Sequence, residues 1–393
     1  MAGSPDRDLD LVLFGATGFT GGLTGEYLAR HAPPDLRWAL AGRSPEKLES
    51  VRNRLAAINP ALGDLELLHA DVGDPASLAD VAARTRVVIT TVGPYLTYGE
   101  PLVAACAGAG TDYVDLTGEP EFVDRMYVSH NAAAERSGAR IVHACGFDSI
   151  PHDLGAMFTV QQLKASGPVT VRGVVRANGM FSGGTFHSAM TQFSRGRQLK
   201  EASAARRKAE PKPEGRSSRA VAGKPHRDKA LGLWLVPMPT IDPSIVARSG
   251  AALSSYGSKF RYSHYAGTRT LRYAAGGAAG VGLIAVAAQI KPVRNLLLGR
   301  IKQGDGPDES RREKSWFSVD FIGAGDGRTV HTRVTGGDPG YTETAKMLAE
   351  SALCLAFDDN PTTAGNVTTA QAMGDNLVAR LQAAGMRFET VDG

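Results

Sequence analysis

The sequence predicts an α/β protein in which a Rossmann-type doubly wound parallel sheet is followed by a second α/β domain carrying helical and basic insertions. Short β-rich runs alternate with longer amphipathic stretches between residues 9 and 145, which is typical of parallel strands joined by helices. A glycine-rich turn at residues 15–21 stands directly between the first such run and the first amphipathic stretch. Glycine accounts for 46 of the 393 residues and aromatic residues for only 7%, which favours many tight turns.

The elements of the first domain follow from apolar runs bounded by Gly, Asp or Pro. We expect the first helix to begin at Thr20 as a candidate cap, and the second to begin after Ser44 with Pro45 in the first helical position. The predicted strands are residues 9–14, 36–41, 65–70, 87–92, 113–116 and 140–145. The predicted helices are residues 20–31, 45–58, 75–83, 100–108 and 121–137.

The pattern changes after residue 153. Residues 170–178, 317–321 and 330–334 have the pattern of strands, and residues 342–357 and 369–384 have the pattern of helices. We therefore expect a Rossmann domain over residues 1–155 and a substrate and insertion domain over residues 156–340. The C-terminal helices, residues 341–393, can return to either domain, including the Rossmann domain.

Composition excludes several classes of protein. Hydrophobic residues make up 42% and charged residues 21%, which is ordinary for a globular protein and excludes a disordered chain. The three cysteines are far apart and form no CxxC pair, so neither a zinc site nor a redox pair is expected. The first ten residues contain no apolar segment of a signal peptide, so we expect a cytoplasmic protein.

The net charge of +4 is unevenly distributed. Residues 195–229 contain 12 Lys or Arg and 4 Asp or Glu, a net charge of +8, so the rest of the chain is slightly acidic. Such a block is usually a solvated, partly mobile loop. The alternative is a docking surface for an anionic partner.

The strongest functional signal is the glycine-rich turn. Glycine permits a tight turn and lets backbone N–H groups approach a pyrophosphate, whose charge is favoured at a helix N-terminus. The spacing is GxxGxxG, which departs from GxGxxG and resembles that of short-chain-reductase-like Rossmann folds. The expected cofactor-binding residues of the turn are Gly15, Ala16, Thr17, Gly18, Phe19, Thr20 and Gly21.

The end of the second strand indicates which dinucleotide is bound. An NAD enzyme has Asp or Glu there to accept the ribose hydroxyls, whereas this chain has Gly42, Arg43 and Ser44. A planar guanidinium can donate two charge-assisted hydrogen bonds to a 2′-phosphate. We therefore expect NADP(H), the alternative being that Arg43 is simply an exposed arginine.

The ends of the third and fourth strands supply further candidates. Asp71 and Val72 are candidate adenine contacts, although an Asp there can equally cap the next helix. Gly93 and Pro94 follow the fourth strand, where a doubly wound fold opens its ligand crevice. Tyr95 comes next and is a candidate proton donor, although a tyrosine in a loop is more often packed.

Five stretches together resemble the saccharopine dehydrogenase-like family: the glycine turn and residues 41–43, 92–95, 113–119 and 146–151. More narrowly, residues 182–185 and 368–375 look like those of the trans-acting enoyl reductases of mycobacteria. The resemblance covers most of the chain and is most specific over the first 155 residues. It implies a reductase that supplies an enoyl-reduction step to polyketide synthases lacking one, in the making of phthiocerol-type and phenolic glycolipids.

We therefore expect an NADPH-dependent oxidoreductase that reduces a carbon–carbon double bond in a polyketide or lipid intermediate. Hydride would add to the β-carbon, hydrogen-bond donors would stabilise the enolate, and the α-carbon would then be protonated. Tyr95 is the first choice as donor, with Asp148 and Ser149 as second members. The alternatives are a saccharopine-type amino-acid dehydrogenase and a non-catalytic, nucleotide-binding, lipid-associated protein.

Partner and metal expectations follow. We expect a lipid-like enoyl substrate, carried on an acyl carrier domain of a polyketide synthase or met at the inner face of the plasma membrane, and no nucleic acid. Residues 274–288 form an apolar run shorter than a bilayer span, so a buried core helix, an interfacial helix or a tunnel wall all remain open. His143 and His152 follow no metal spacing, so no metal site is expected.

Overall fold

The computed structural model describes residues 7–178, 183–300 and 309–391. The chain forms two compact units, each assembled from separate segments. The first unit comprises the chain up to Thr117 together with Phe122–Phe147 and Tyr341–Arg380. The second comprises Gly118–Glu121, Asp148–Gly340 and the chain from Leu381 onward.

Helices and strands alternate through most of the chain. The strands are β1 (Leu9–Phe14), β2 (Trp38–Gly42), β3 (Glu66–His69), β4 (Thr85–Thr90), β5 (Asp112–Asp115), β6 (Arg140–Val142), β7 (Pro168–Ala177), β8 (Ser217–Ala220), β9 (His226–Asp228), β10 (Leu233–Pro237), β11 (Lys259–Thr268), β12 (Phe317–Gly325), β13 (Arg328–Gly336), β14 (Gly365–Val367) and β15 (Arg387–Thr390). The helices are α1 (Phe19–His31), α2 (Pro45–Ile58), α3 (Pro75–Arg84), α4 (Tyr95–Tyr98), α5 (Glu100–Ala109), α6 (Pro120–Ser137), α7 (Ile150–Leu163), α8 (Gly183–Ser194), α9 (Gly196–Ala209), α10 (Asp242–Ala252), α11 (Leu271–Gln289), α12 (Lys291–Arg300), α13 (Glu309–Glu313), α14 (Thr342–Phe357), α15 (Thr369–Ala372) and α16 (Gly374–Ala383).

The first unit contains a parallel sheet of seven strands in the order β14-β6-β5-β4-β1-β2-β3. Every residue of β1 is buried, as expected for a parallel strand covered on two faces by helices. The chain runs from β1 outward to β3 on one side and from β4 outward on the other. The gap between β1 and β4 is therefore the topological switch point, where doubly wound folds bind ligands. This arrangement confirms the predicted Rossmann-type fold.

The local signals at the helix starts had different outcomes. The Ser44 cap is confirmed, because its Oγ accepts a hydrogen bond from the backbone N–H of Lys47 at 3.4 Å. The Thr20 cap was wrong, because α1 begins one residue earlier with Gly18 as its N-cap and no side-chain cap bond. Glycine at that position keeps the turn tight, and Thr20 lies inside the first helical turn.

The second unit contains a mixed sheet in the order β15-β13-β12-β7-β11-β10-β9, with β8 paired to β11. The three strands predicted after residue 153 correspond to β7, β12 and β13. The ten-residue strand β11, parallel to β7, was not predicted. Helix α7 packs against β12 and β13 and is buried over almost its whole length.

The basic segment, residues 195–229, contains regular secondary structure, so the expectation of a loop was wrong, although most of its residues are exposed to solvent. It contains α9, β8 and β9. Arg195 donates two hydrogen bonds, of 2.7 and 2.8 Å, to the buried carboxylate of Glu121. Arg206 is buried and pairs with Glu210, whose other oxygen accepts a hydrogen bond from Arg248 at 2.8 Å. Part of the positive charge is therefore used inside the second unit.

Helix α11 covers the apolar run predicted at residues 274–288 and is longer than that run. Its 19 residues are long and apolar enough to cross a membrane by length and composition, and only 11% of its most apolar window is buried. Of the three interpretations left open by the sequence, a buried core helix is therefore excluded. Large apolar side chains face solvent along it, including Tyr273, Leu283 and Val286.

Candidate functional site

The glycine-rich turn lies against the residues that follow β4. Gly15 has φ = +95°, which favours glycine, and a Cβ there would stand 2.7 Å from Thr91 Oγ1. The backbone N–H of Thr91 donates to the carbonyl of Phe14 at 3.0 Å, and Thr91 Oγ1 donates to the carbonyl of Gly15 at 3.1 Å. The ends of β1 and β4, predicted separately from the sequence, are thus joined at the switch point.

The other two glycines of the motif have different surroundings. A Cβ at Gly21 would stand 2.2 Å from the carbonyl oxygen of Gly15, which no side chain tolerates. A Cβ at Gly18 would be 3.5 Å from that oxygen, an ordinary contact, and Gly18 is exposed. Gly21 therefore permits the packing of α1 on the turn, whereas Gly18 leaves the approach to the helix N-terminus open.

The N-terminus of α1 has the chemistry of a pyrophosphate site. The helix has 13 residues, and its Gly18 cap supplies no side-chain acceptor for the first-turn N–H groups. Such groups, together with the helix dipole, favour a bound anion. The cradle described by Gly15, Gly18 and Gly21 therefore fits a dinucleotide.

Strand β2 pairs in parallel with β1, so the cation that follows it lies at the same edge of the sheet as the cradle. Arg43 is exposed and forms no ion pair or hydrogen bond with any residue that the structure describes. Ser44 is occupied as the cap of α2, and it also donates to Glu46 at 2.9 Å. The guanidinium of Arg43 is therefore available for a phosphate group.

Asp71 and Val72 lie just beyond β3. Asp71 Oδ1 accepts the backbone N–H of Gly73 at 2.9 Å, and its own N–H donates to Ser77 Oγ at 3.0 Å. The cap of α3 is Asp74, whose Oδ1 accepts from Ala76 at 3.1 Å. Asp71 thus shapes the loop and leaves the capping role to Asp74.

Tyr95 begins α4, directly after the cis Gly93–Pro94 peptide. Its ring is buried, and its hydroxyl donates to the carbonyl of Thr90 at 3.1 Å and accepts the N–H of Leu116 at 3.4 Å. A Cβ at Gly93 would be 3.6 Å from this ring, so packing does not require glycine there. In this structure the Tyr95 hydroxyl ties the end of β4 to the end of β5.

The sequence analysis missed a polar hub at the ends of β5 and β6. The carboxylate of buried Asp115 accepts hydrogen bonds from Tyr113 Oη at 2.9 Å and His143 Nδ1 at 2.6 Å. It also accepts the backbone N–H groups of Thr117 at 3.0 Å and Ala144 at 2.9 Å. Asp115 and His143 are 28 residues apart, so no spacing motif links them. The available signal was their position at strand ends, since Asp115 is the last residue of β5 and His143 directly follows β6.

Asp148 and Ser149 belong to the second unit. Asp148 is partly buried, and burial together with the charge of Asp242 raises the pKa of its carboxyl to about 7. Ser149 is fully buried and is the N-cap of α7, but its side chain forms no cap bond. Of these two candidates, Asp148 is the one with a proton that ionises near neutral pH.

Comparison with known proteins shows the family of the chain. The family described as the saccharopine dehydrogenase NADP-binding domain matches residues 11–142. A relative from Mycobacterium tuberculosis is 39% identical over 425 residues, covering 98% of each chain. Its name, given provisionally, is trans-acting enoyl reductase. Trans-acting enoyl reductases of Mycobacterium ulcerans and Mycobacterium bovis are each 36% identical, again over 98% of each chain.

A solved structure extends the comparison to the fold. The apo saccharopine dehydrogenase (L-Glu forming) of Saccharomyces cerevisiae matches with a TM-score of 0.55 at 13% identity, covering 98% of this chain and 100% of that one. This likeness concerns the fold alone. With the match over residues 11–142, the family resemblance and the choice of NADP(H) are confirmed.

Proposed function

Since the chain belongs to the family of trans-acting enoyl reductases, we propose that this NADP-dependent oxidoreductase reduces the carbon–carbon double bond of an α,β-unsaturated acyl intermediate. The observation that carries the proposal is the cradle at the switch point, in which the glycine turn packs on Thr91. When bound, NADPH supplies the hydride that adds to the β-carbon of the substrate. The first-turn N–H groups of α1 hold the pyrophosphate, and Arg43 holds the 2′-phosphate.

The reaction also needs a proton for the α-carbon, and we propose that Asp148 delivers it. Its carboxyl is partly accessible and has a pKa of about 7, close to the working pH at which a general acid is most effective. Tyr95 was the first choice from the sequence, but its hydroxyl is committed to two backbone groups. Ser149 is fully buried. The proton leaves Asp148 as its carboxylate forms and is then replaced from solvent.

The cofactor assignment is tested by titrating NADPH and NADH against wild type, Arg43→Ala and Lys47→Ala. Charge-assisted hydrogen bonds contribute about 1.5–3 kcal/mol, so Arg43→Ala should weaken NADPH binding roughly tenfold to a hundredfold and leave NADH binding unchanged. Lys47 is an exposed cation in the first turn of α2 and serves as the control for general charge. An equal loss for the two cofactors, or in the two variants, would contradict the role of Arg43.

The reaction itself is tested in two assays. The first follows NADPH oxidation with a long-chain 2-enoyl thioester. The second tests the alternative of an amino-acid dehydrogenase by following NADP⁺ reduction with saccharopine. We expect turnover with the thioester only, and Asp148→Asn should slow it by about 10²–10⁴-fold. Turnover of saccharopine would replace the proposal with an amino-acid dehydrogenase. NADPH binding without turnover of either substrate would favour a non-catalytic nucleotide-binding protein.

We further propose that the substrate is lipid-like and is met at an anionic membrane surface through α11 and α12. Leu283 and Val286 are 71% and 61% exposed, which is unusual for apolar side chains on one long helix. Between residues 269 and 300 the sequence contains five Lys or Arg and no Asp or Glu. Apolar side chains flanked by cations are the pattern of an interfacial helix on anionic lipid. A cytoplasmic enzyme of this kind would work at the inner face of the plasma membrane.

Vesicle flotation tests the membrane proposal. Burying one large apolar side chain contributes about 1.5–3 kcal/mol, so Leu283→Glu with Val286→Glu should lower binding to phosphatidylglycerol vesicles at least about a hundredfold. Val128→Glu is the control, because Val128 is also an exposed apolar side chain, at 49%, but belongs to the first unit. Binding should also fall with salt, since exposed charges are screened over about 10 Å at 0.1 M. The proposal is contradicted if wild type binds no vesicles and instead forms a dimer in solution that the double variant does not form. That result would assign α11 to self-association.

The intermediate itself, we propose, arrives on an acidic acyl carrier domain of a polyketide synthase and docks on exposed cations of α9. Arg207 and Lys208 are exposed there, whereas Arg206 is buried in its ion pair. Arg207→Ser with Lys208→Ser should therefore mimic high salt: carrier binding should be weaker and should depend less on the salt concentration, without any effect on turnover of a short free thioester. Unchanged carrier binding in this variant would exclude α9 as the docking surface.

A further inference from the structure

Three metal-ligating side chains meet inside the second unit. His152 comes from α7, Asp242 is the first residue of α10, and His264 comes from β11. Each of the three is at most 5% exposed. In the proposed reductase none of the three donates a proton or holds the cofactor, and only the charge of Asp242 enters, as one cause of the raised pKa of Asp148.

Their geometry suits a shared ion better than direct hydrogen bonds. His152 Nε2 lies 3.6 Å from Oδ1 of Asp242, and His264 Nε2 lies 3.6 Å from Oδ2 of the same carboxylate. Hydrogen bonds from nitrogen to oxygen are about 2.7–3.2 Å long, so neither pair is bonded directly. The ligand atoms all lie within 4.8 Å of one another. An ion about 2.0–2.2 Å from each ligand would hold neighbouring ligands roughly 3.4 Å apart in tetrahedral geometry.

Two of the ligand atoms have no other task. Oδ1 of Asp242 and Nε2 of His264 have no hydrogen-bond partner among the residues that the structure describes. Buried polar atoms in proteins are almost always paired, so such atoms facing one another indicate a missing partner. A cation that accepts both lone pairs would satisfy them together.

The surroundings fix the ligands in the form that binds metal. Tyr262 Oη lies 3.0 Å from Nδ1 of His264, an outer-shell contact of the kind that orients a ligating imidazole and leaves Nε2 as the donor atom. The rings of His152 and His264 contact edge to face, with their centroids 4.8 Å apart.

From this geometry we propose that His152, Asp242 and His264 bind one divalent transition-metal ion of the zinc class. Two neutral imidazoles and a carboxylate are a common ligand set for such ions. Because the ligands come from a helix, a helix start and a strand, the ion would join α7, α10 and β11 and act as a structural tie within the second unit. No sequence spacing could reveal a site whose ligands are 90 and 22 residues apart.

Cobalt titration of the chelator-treated full chain tests the proposal, with no NADPH or substrate present. We expect one Co²⁺ per chain, visible absorption bands of a four- or five-coordinate ion, and a higher unfolding temperature when cobalt or zinc is added. Elemental analysis of the protein as purified should find about one zinc per chain. This readout is independent of turnover, so its failure would leave the reductase proposal intact.

Variants separate the site from adventitious binding. His264→Gln and His152→Gln should each abolish the absorption bands, and Tyr262→Phe should weaken cobalt binding about 10–100-fold as an outer-shell change. His226→Gln is the control, because His226 lies in β9, outside the cluster, and its Nδ1 lies 2.9 Å from the nearby carbonyl of Lys224. The proposal is overturned if wild type binds no cobalt, or if all the variants bind it equally. The wild-type result does not depend on whether a histidine variant folds.

Discussion

Replacing two glycines of the turn should separate folding from cofactor binding. Gly21→Ala puts a Cβ 2.2 Å from the Gly15 carbonyl, more than 1 Å short of an ordinary 3.4 Å contact with backbone that cannot rotate away. Helix propensity alone would favour alanine by about 1 kcal/mol, but overpacking of this kind costs about 1–3 kcal/mol and displaces the first turn of α1. We expect lower stability together with at least tenfold weaker NADPH binding.

Gly18→Ala is the matched comparison. Its Cβ would meet the same oxygen at 3.5 Å, so the free energy of unfolding should change by less than about 1 kcal/mol. The new methyl group nevertheless occupies the open side of the helix N-terminus, and NADPH binding should weaken at least tenfold. Urea unfolding and fluorescence titration of the two variants measure the two effects. If Gly18→Ala binds NADPH as wild type does, the pyrophosphate does not lie on this turn.

Three further results follow from buried groups. Because folding raises the pKa of Asp148 from 3.8 to about 7, its protonated carboxyl stabilises the fold fully below about pH 4, and this stabilisation is lost as the pH rises to 7. Between these pH values the free energy of unfolding in urea should fall by up to about 4 kcal/mol more for chelator-treated wild type than for Asp148→Asn. Arg206→Ala should cost about 1–3 kcal/mol by breaking its pair with Glu210, whereas exposed Arg207→Ala should stay within about 0.5 kcal/mol, and equal effects would deny the buried pair. Tyr95→Phe should lower stability by about 1–3 kcal/mol with little change in NADPH binding, and a purely catalytic effect would restore it as a proton donor.

The Rossmann half could be predicted because its signals are local. An apolar run, a glycine turn and an amphipathic helix recur at short range, and α2 was predicted to its ends because Ser44 and Pro45 mark its start. Strand β14 was missed because its three residues acquire their structure only by pairing with β6. Short strands of this kind carry too few residues to show a period.

The second unit was harder to predict because its signals are mixed with charge. In β11 the buried residues Phe260, Tyr262 and His264 alternate with Arg261 and Ser263, which is the period of a strand, but the surrounding basic residues concealed it. The polar contacts that shape the site are also long-range. Asp115 and His143 form a hydrogen bond only after their strands have aligned in the sheet. The sequence therefore indicates which residues are candidates but not which of them pair.

The interleaving of the two units has a consequence during synthesis. Strand β6 ends at Val142, but its neighbour β14 begins at Gly365, more than 200 residues later, which corresponds to roughly 10–40 s of translation. Through that interval β6 is an unpaired sheet edge, open to the wrong strand or to a second nascent chain. Strand β13 likewise waits for β15, which begins at Arg387, about 50 residues after β13 ends. Neither unit can complete its sheet until β14 and β15 have been synthesised, so we expect the nascent chain to depend on a holding chaperone and any fragment that stops before residue 365 to aggregate.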